Sequence, residues 1–367
     1  MKKRAYIWTL PTRLFHWLLV LYILIMFISS DEESLLNIHA AFGYGVGILI
    51  FFRVIWGFIG PNYSRFSNWP LNIKEAIEFT KNILHPKLYI GHNPAASFVM
   101  LGIILVVFLT ALSGVLTYGI QEGRGILAFL NNSYFKEMEL FEEIHEFFSN
   151  LLLLLIAAHL GGVAVDRVLH KENGTLQSIF SGYKNVEAKD EQLNLFQKIV
   201  ASLFLAATIA VPIVALNFKT PLTKSAFLPI DYQKVHPAFV EECGSCHTLY
   251  PPHLLPNKSW QKLMANLEDH FGDDASLEEP TRSDIEKFFV ENSAKNSTKE
   301  ASFYILKSLK ESPIAITKTP YWKKQHKNID KKIFKSSKVK SKANCKACHT
   351  DIEKGIIEDE NIELPKV

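Results

Sequence analysis

The sequence predicts an all-α protein in two parts: a transmembrane helical bundle of five spans and, after it, a mostly helical but irregular domain outside the membrane. Three observations carry the prediction. Five apolar runs, each near the ~20 residues that cross a bilayer, occupy the first part of the 367-residue chain. Three of those runs hold histidines, which are costly in lipid and by default mark a functional site. The remainder is lysine-rich and contains all four cysteines. A net charge of +3, with no basic repeat or groove signature, makes no case for nucleic acid.

The chain begins Met-Lys-Lys-Arg, and after Trp8-Thr-Leu-Pro-Thr-Arg13-Leu-Phe-His16-Trp17 an apolar run continues to Ile28. A secretory leader also starts basic and turns apolar. Here, however, Arg13 and His16 interrupt the stretch that should be plain, and Ser29-Ser-Asp-Glu-Glu-Ser offers no small-x-small cleavage site. A retained first span is the expectation. The second runs from about Leu36 to Phe58, with His39 near its start and Gly43, Gly45 and Gly47 clearing space beside it. The third, about Ala95 to Tyr118, has no ionisable residue and is expected only to pack. The fourth, Ile144 to Val163, carries His145 and His159. Fourteen residues at about 1.5 Å and 100° each put these imidazoles about 21 Å apart along the axis and about 40° apart around it, on one face. The fifth covers about Ile199 to Phe218, with Pro212 tolerable as a kink.

Lysines and arginines near the span ends set the orientation. Lys2, Lys3, Arg4 and Arg13 open the chain; Arg53, Arg65, Lys74, Lys81 and Lys87 follow the second span; Arg167, Lys171, Lys184 and Lys189 follow the fourth. These ends are expected in the cytoplasm. The first connection is acidic, with Asp31, Glu32 and Glu33, and the third has only Arg124 and Lys136 against several glutamates, so both face out. Five spans starting inside deliver everything after Phe218 to the outer side. By depth, His16 and His159 then lie toward the inner face, and His39 and His145 toward the outer. Imidazole suits iron among other metals, so each level pair can supply both axial ligands of one haem b. The competing reading is histidines that only hydrogen-bond to neighbouring helices. Arg13 and Arg53 are candidates for pairing with the inner haem's propionates, or are topology determinants alone.

After Phe218, Lys-Thr-Pro-Leu-Thr-Lys-Ser-Ala-Phe-Leu-Pro reads as a linker. Cys243-Gly-Ser-Cys246-His247 and Cys345-Lys-Ala-Cys348-His349 then read as c-type haem attachment sites. Two thiols at that spacing each form a thioether to a haem vinyl group, and the adjoining histidine becomes the proximal iron ligand. Zinc would need a different Cys–His spacing, and a redox Cys-x-x-Cys needs no histidine beside it. The distal candidates are His236, His253, Met264, His270 and His326. Asn257 to Gly272 reads as a helix with Ser259 near its cap and a stripe of Leu263, Leu267 and His270. Met264 points off that stripe, toward core packing, and His253 reads as surface. Between Lys318 and Lys342 ten lysines face one aspartate, Asp330. Such a run is a solvated surface or a patch that steers an acidic partner. The expected divisions are 1–190 for the four-span part, 191–219 for the fifth span, 220–234 for the linker and 235–367 for the outer domain.

Leu-Pro-Thr-Arg-Leu-Phe-His16-Trp, His39-Ala-Ala-Phe-Gly-Tyr, Arg53-Val-Ile-Trp-Gly-Phe-Ile-Gly-Pro, Gly91-His92-Asn-Pro and the His145 to His159 spacing together resemble the prokaryotic di-haem cytochrome b family. This is the cytochrome b-561 type, related to the b subunits of nickel-iron hydrogenases and formate dehydrogenases, and the likeness covers about residues 1–185. It implies a haem-binding core of four spans that exchanges electrons with quinone, the fifth span lying outside that core. By motif it pairs His16 with His159 and His39 with His145. For His92, a solvated or turn-stabilising role competes with one at haem or quinone. The outer domain, over nearly all of 235–365, resembles the small di-haem cytochrome c family. That likeness implies bis-histidine ligation with His270 and His326 as the distal pair, and leaves open which serves which haem.

Together the two resemblances imply electron transfer between the membrane quinone pool and a periplasmic redox protein, through two haem b and two covalently bound haem c. The setting implied is a bacterial inner membrane with the N-terminus cytoplasmic and the C-terminal domain periplasmic. A terminal reductase or gas-binding haem protein, using a c haem with an open axial site, is the alternative; a haem-binding assembly protein is a third reading. The sequence leaves open whether the chain is a quinol–cytochrome oxidoreductase, and whether it is a homodimer or a subunit of a larger oxidoreductase.

Overall fold

A computed structural model describes residues 4–30, 32–84, 87–136 and 140–366. The orientation charges Lys2, Lys3 and Asp31 lie outside them, as do the side chains of Glu33 and Lys136. Five helices among the described residues are long and apolar enough to cross a membrane: Leu10–Ile28, Leu36–Ile59, Pro94–Ile120, Leu140–Leu169 and Leu195–Asn217. They coincide with the five apolar runs. The chain divides into two compact units, Met1–Tyr118 with Glu139–Lys224, and Gly119–Met138 with Ser225–Val367. The connection between the third and fourth spans thus groups with the C-terminal unit, an assignment no linear division of the sequence provides.

Local chemistry explains the helix ends. Pro11 stands in the first turn of the first span, where its missing N–H has no intrahelical acceptor to lose. The second span closes at Gly60, and Pro61 cannot continue it. The fifth opens on a capping box in which Asn194 and Gln197 each accept the other's backbone N–H. The shared interior holds Phe15, Leu19 and Tyr22 of the first span, Leu49, Phe52 and Trp56 of the second, Val107 of the third and Leu152 of the fourth. Leu24, Phe51, Phe108, Leu154 and Leu203 stay exposed, as lipid-facing positions do.

The fifth span supplies no histidine but packs against the other spans, and Ala201 joins the buried cluster. The reason is Pro212. It has no N–H to donate to the Thr208 carbonyl four residues back, and the Tyr22 hydroxyl of the first span supplies that bond at 3.0 Å. Gly45 admits the approach, since a Cβ there would stand 2.6 Å from Tyr22 and 3.1 Å from Pro212. Gln197 closes the other end, its amide donating to the Ile59 carbonyl at 2.7 Å.

The second unit is built from short helices, chiefly Pro237–Gly244, Asn257–Met264, Thr281–Glu291 and Glu300–Ser308, joined by turns. Phe239, Leu255, Trp260, Met264, Ile285 and Phe289 form its main core. Gly119–Met138 is stitched to it: the Ala226 N–H donates to the Gly123 carbonyl at 2.7 Å, and Arg124 pairs with Glu358. The helix expected over 257–272 stops at Met264 and is followed by a single 3-10 turn, Leu267–Asp269. Local bonds compete with helix continuation there, the Gly272 N–H donating to the Asp269 carboxylate at 3.2 Å. Ser259 is buried within the helix rather than capping it.

Candidate haem-binding sites

Eight histidines meet in four pairs. His16 of the first span and His159 of the fourth have ring centres 6.5 Å apart, and His39 of the second and His145 of the fourth stand at 6.2 Å. In the second unit, His247 and His270 stand at 6.1 Å, and His326 and His349 at 6.0 Å. Two metal–nitrogen bonds of about 2.0 Å, plus about 1.1 Å from each nitrogen to its ring centre, separate trans imidazoles by about 6.2 Å. All four pairs lie near that separation. His270 stands opposite His247, and His326 opposite His349.

A ligating histidine needs its second ring nitrogen held, which fixes the tautomer and raises the basicity of the first. His39 Nδ1 lies 3.1 Å from the Met26 carbonyl and 3.3 Å from Ser29 Oγ. His145 Nδ1 lies 3.1 Å from both the Thr110 carbonyl and Ser113 Oγ. His247 Nδ1 is 2.7 Å from the Thr248 carbonyl, and His326 Nδ1 is 2.9 Å from that of Trp322. An N–H on Nδ1 donates to the carbonyl in each case, so the lone pair is on Nε2. Nδ1 of His16 and of His349, by contrast, is buried without a hydrogen-bond partner among the described residues.

The third span does more than pack, because it supplies Thr110 and Ser113. Gly114 stands beside them, where a Cβ would meet His145 Cε1 at 2.9 Å. The visible signal was a Thr-x-x-Ser-Gly break in an otherwise apolar run. Two aromatic side chains flank the histidines of the second unit. Tyr250 stacks on His247 with centres 5.0 Å apart, and its hydroxyl donates to the Ala343 carbonyl at 2.5 Å, two residues before Cys345. Trp322 stacks on His326 at 4.3 Å.

All four cysteines are free, and burial pushes the Cys243 thiol up to about 12 and the Cys345 thiol up to about 11. Among the described residues no three His, Cys, Asp or Glu side chains converge as a metal ion such as zinc would need. The other distal candidates are engaged elsewhere. His236 accepts the Phe239 N–H at 3.1 Å and faces the Asp284 carboxylate at 3.3 Å. Met264 is core. His253, read as surface from its polar type, is only 4% exposed and lies under the Glu300–Ser308 helix, Ser302 Oγ donating to its carbonyl at 3.1 Å.

On the side expected to be cytoplasmic, Arg53 is 4% exposed, donates to the Ser64 carbonyl at 3.3 Å and lies over Phe66 and Trp69. Arg13 donates to the Phe180 carbonyl and the Tyr6 hydroxyl, while its Nε is buried without a partner among the described residues. His92 is no solvated histidine: its ring lies between Trp8 and Trp69, at 4.7 and 4.8 Å. Burial, with the nearby charges of Arg53 and Lys184, holds it down to about 3 and therefore neutral. Lys184 donates to the Tyr89, Ile90 and Gly91 carbonyls and so fixes the loop that carries His92.

Paired histidines at metal-spanning distance inside an apolar bundle, joined to two Cys-x-x-Cys-His sites, define a membrane cytochrome. Residues 7–182 belong to the prokaryotic cytochrome b561 family and residues 239–357 to the dihaem cytochrome c family. The families imply haem b and haem c, and membrane electron transfer. Among curated proteins, the chain is similar to a probable Ni/Fe-hydrogenase B-type cytochrome subunit of Bradyrhizobium diazoefficiens, with 29% identity over 33% of this chain and 60% of that one. A protein of the same description from Rhizobium leguminosarum bv. viciae is 27% identical over 34% of this chain and 63% of its own length. The chain spans about three fifths of the length of these relatives. Among solved structures, a diheme cytochrome c from Rhodobacter sphaeroides is 36% identical, covering 35% of this chain and 99% of that one, with a TM-score of 0.31. A diheme cytochrome type c from Shewanella baltica OS155 is 32% identical over 35% of this chain and 91% of that one, with a TM-score of 0.29.

Proposed function

We propose that this protein transfers electrons between the membrane quinone pool and a periplasmic redox partner. In this reading His16 with His159, and His39 with His145, ligate two b haems. Cys243, Cys246 and His247 with distal His270 hold one c haem, and Cys345, Cys348 and His349 with distal His326 hold a second. Bound haem supplies a one-electron iron couple at each place. The chain's own residues do the rest. The Met26, Thr110, Thr248 and Trp322 carbonyls hold rings in the ligating tautomer, and Arg13 and Arg53 meet the carboxylates of the inner haem. Arg53 suits that role because it is a buried cation with no carboxylate partner among the described residues.

The observation that carries the reading is one His–His separation recurring in four places, twice against the same fourth helix. The charge asymmetry of the connections favours a bacterial inner membrane with residues 235–367 as a periplasmic domain, after a four-span part at 1–190, a fifth span at 191–219 and a linker at 220–234. The relatives' description as hydrogenase cytochrome subunits favours membership of a larger oxidoreductase over a homodimer. The test is anaerobic addition of a short-chain quinol to membranes containing the protein. Reduction of the c-type absorbance, lost in His159→Ala together with part of the b-type band, is the expected result. Failure of the quinol to reduce the c haems in the unaltered protein would refute the function.

A further inference from the structure

We propose that the lysine-bearing surface over the His326–His349 site docks an acidic protein that takes one electron there. The inference rests on the electron-transfer reading above and adds the exit and the chemistry of the partner. Three separate segments converge at this place. Trp322 on the helix Pro320–Gln325 stacks on His326, Phe334 on the helix Lys331–Lys335 lies 6.1 Å from Trp322 and 6.5 Å from His326, and Lys342 Nζ stands 5.7 Å from the Trp322 ring and 5.8 Å from that of Phe334. Trp322 and Phe334 are each only partly covered. Around this aromatic centre the same segments carry Lys323, Lys324, Lys327, Lys331, Lys335 and Lys342, every one exposed.

The field is not cancelled locally. The ten lysines from Lys318 to Lys342 make no ion pair among the described residues, and the single carboxylate of the stretch, Asp330, is spent as a helix cap, accepting the Lys332 N–H at 2.9 Å. An apolar centre with a charged rim is the anatomy of a protein docking site. A one-signed rim raises encounter rates by 10 to 10³ in order of magnitude. Placing that rim on the stack against the distal ligand brings a partner to the haem rather than to a remote face. A lipid headgroup layer also attracts lysines and seats tryptophan, but it accepts no electron from the site behind them. Cys345, Cys348, His326 and His349 would hold the haem, which when bound would supply one electron, its iron passing from ferrous to ferric as the partner's centre is reduced by one, with no bond or proton exchanged.

The test uses the full-length haem-loaded protein in phosphatidylcholine nanodiscs, reduced with dithionite, mixed in stopped flow with an oxidised acidic c-type cytochrome of known low pI. Lys323→Glu/Lys327→Glu/Lys335→Glu is compared with Lys258→Glu/Lys262→Glu/Lys295→Glu, the same charge change elsewhere on the domain. We expect the first triple variant to slow the second-order rate about tenfold or more at low ionic strength, to abolish its fall with salt, and to remove carbodiimide cross-links to the probe from the 323–342 segment. The control should change neither. Equal loss in both variants, or none in the first, overturns the proposal. So does an effect seen only in discs containing phosphatidylglycerol, which would assign the face to lipid. Because dithionite supplies the electrons, failure of the quinol reaction leaves this result readable by itself.

Discussion

Gly114→Ala is the smallest change that tests the outer histidine pair. The added methyl would stand 2.9 Å from His145 Cε1 and 3.3 Å from Nδ1, against the 3.5 Å or more that carbon contacts prefer. The ring must therefore shift by about half an ångström. It cannot do so freely, because Nδ1 is pinned at 3.1 Å by both the Thr110 carbonyl and Ser113 Oγ. Moving the ring breaks those bonds or lengthens the distance to His39, and loss of such supporting contacts weakens metal affinity by about 10- to 100-fold. The assay is haem b content by pyridine haemochrome, with a redox titration of the b-type α-band. The expected result is loss of about half the b-type signal, or a shifted midpoint in one of its two components. Gly102→Ala, on the same helix, is the control, since its methyl would meet only Leu155 at an ordinary 3.6 Å. Full, unshifted b-type absorbance in Gly114→Ala, or equal loss in Gly102→Ala, would refute the reasoning.

Three further outcomes are expected. In a Cys345→Ala/Cys348→Ala background, His270→Ala turns the remaining c haem high-spin and carbon monoxide binding, whereas His326→Ala leaves it low-spin; the reverse pattern in the absorption spectrum would break the pairing. Arg53→Met removes a buried cation that favours the ferrous form, so the midpoint of the inner b component falls, and an unchanged potentiometric titration would remove Arg53 from the haem's surroundings. Lys299→Met raises the melting temperature at pH 7. Burial holds Lys299 down to about 8, below the usual lysine value of about 10.5, so the penalty of the buried charge is fully present below pH 8 and fades as pH rises toward 10.5. The gain is at most about 3 kcal/mol at pH 7, reduced by about 1 kcal/mol for the lost contact with the Phe227 ring. A gain that grew with pH in a thermal-shift series would contradict that sign.

Depth along a membrane helix is written in one dimension, and so the pairing of His16 with His159 and of His39 with His145 could be read from residue counts and the lysine bias before any distance was known. The five spans were legible for the same reason. What holds the rings was not. His145 is fixed by residues of a different span, His326 by a carbonyl four residues back, and Tyr250 reaches from one Cys-x-x-Cys-His site to the approach of the other. The first and last of these are tertiary hydrogen bonds with no spacing rule, and the His326 bond is local but leaves no mark in residue type. The same limit hides how the fifth span packs: an apolar helix with a proline advertises only that it crosses, while the donor completing its broken turn belongs to Tyr22. His253 was expected at the surface, but the Glu300–Ser308 helix, almost fifty residues on, covers it, and its own neighbours in sequence do not show that. In the outer domain the helical stripe ending at His270 failed as a helix, since Asn266, Asp269 and Gly272 form turns of their own, yet His270 still reached His247. The approach of His270 to His247 therefore does not depend on the helical period that the stripe suggested.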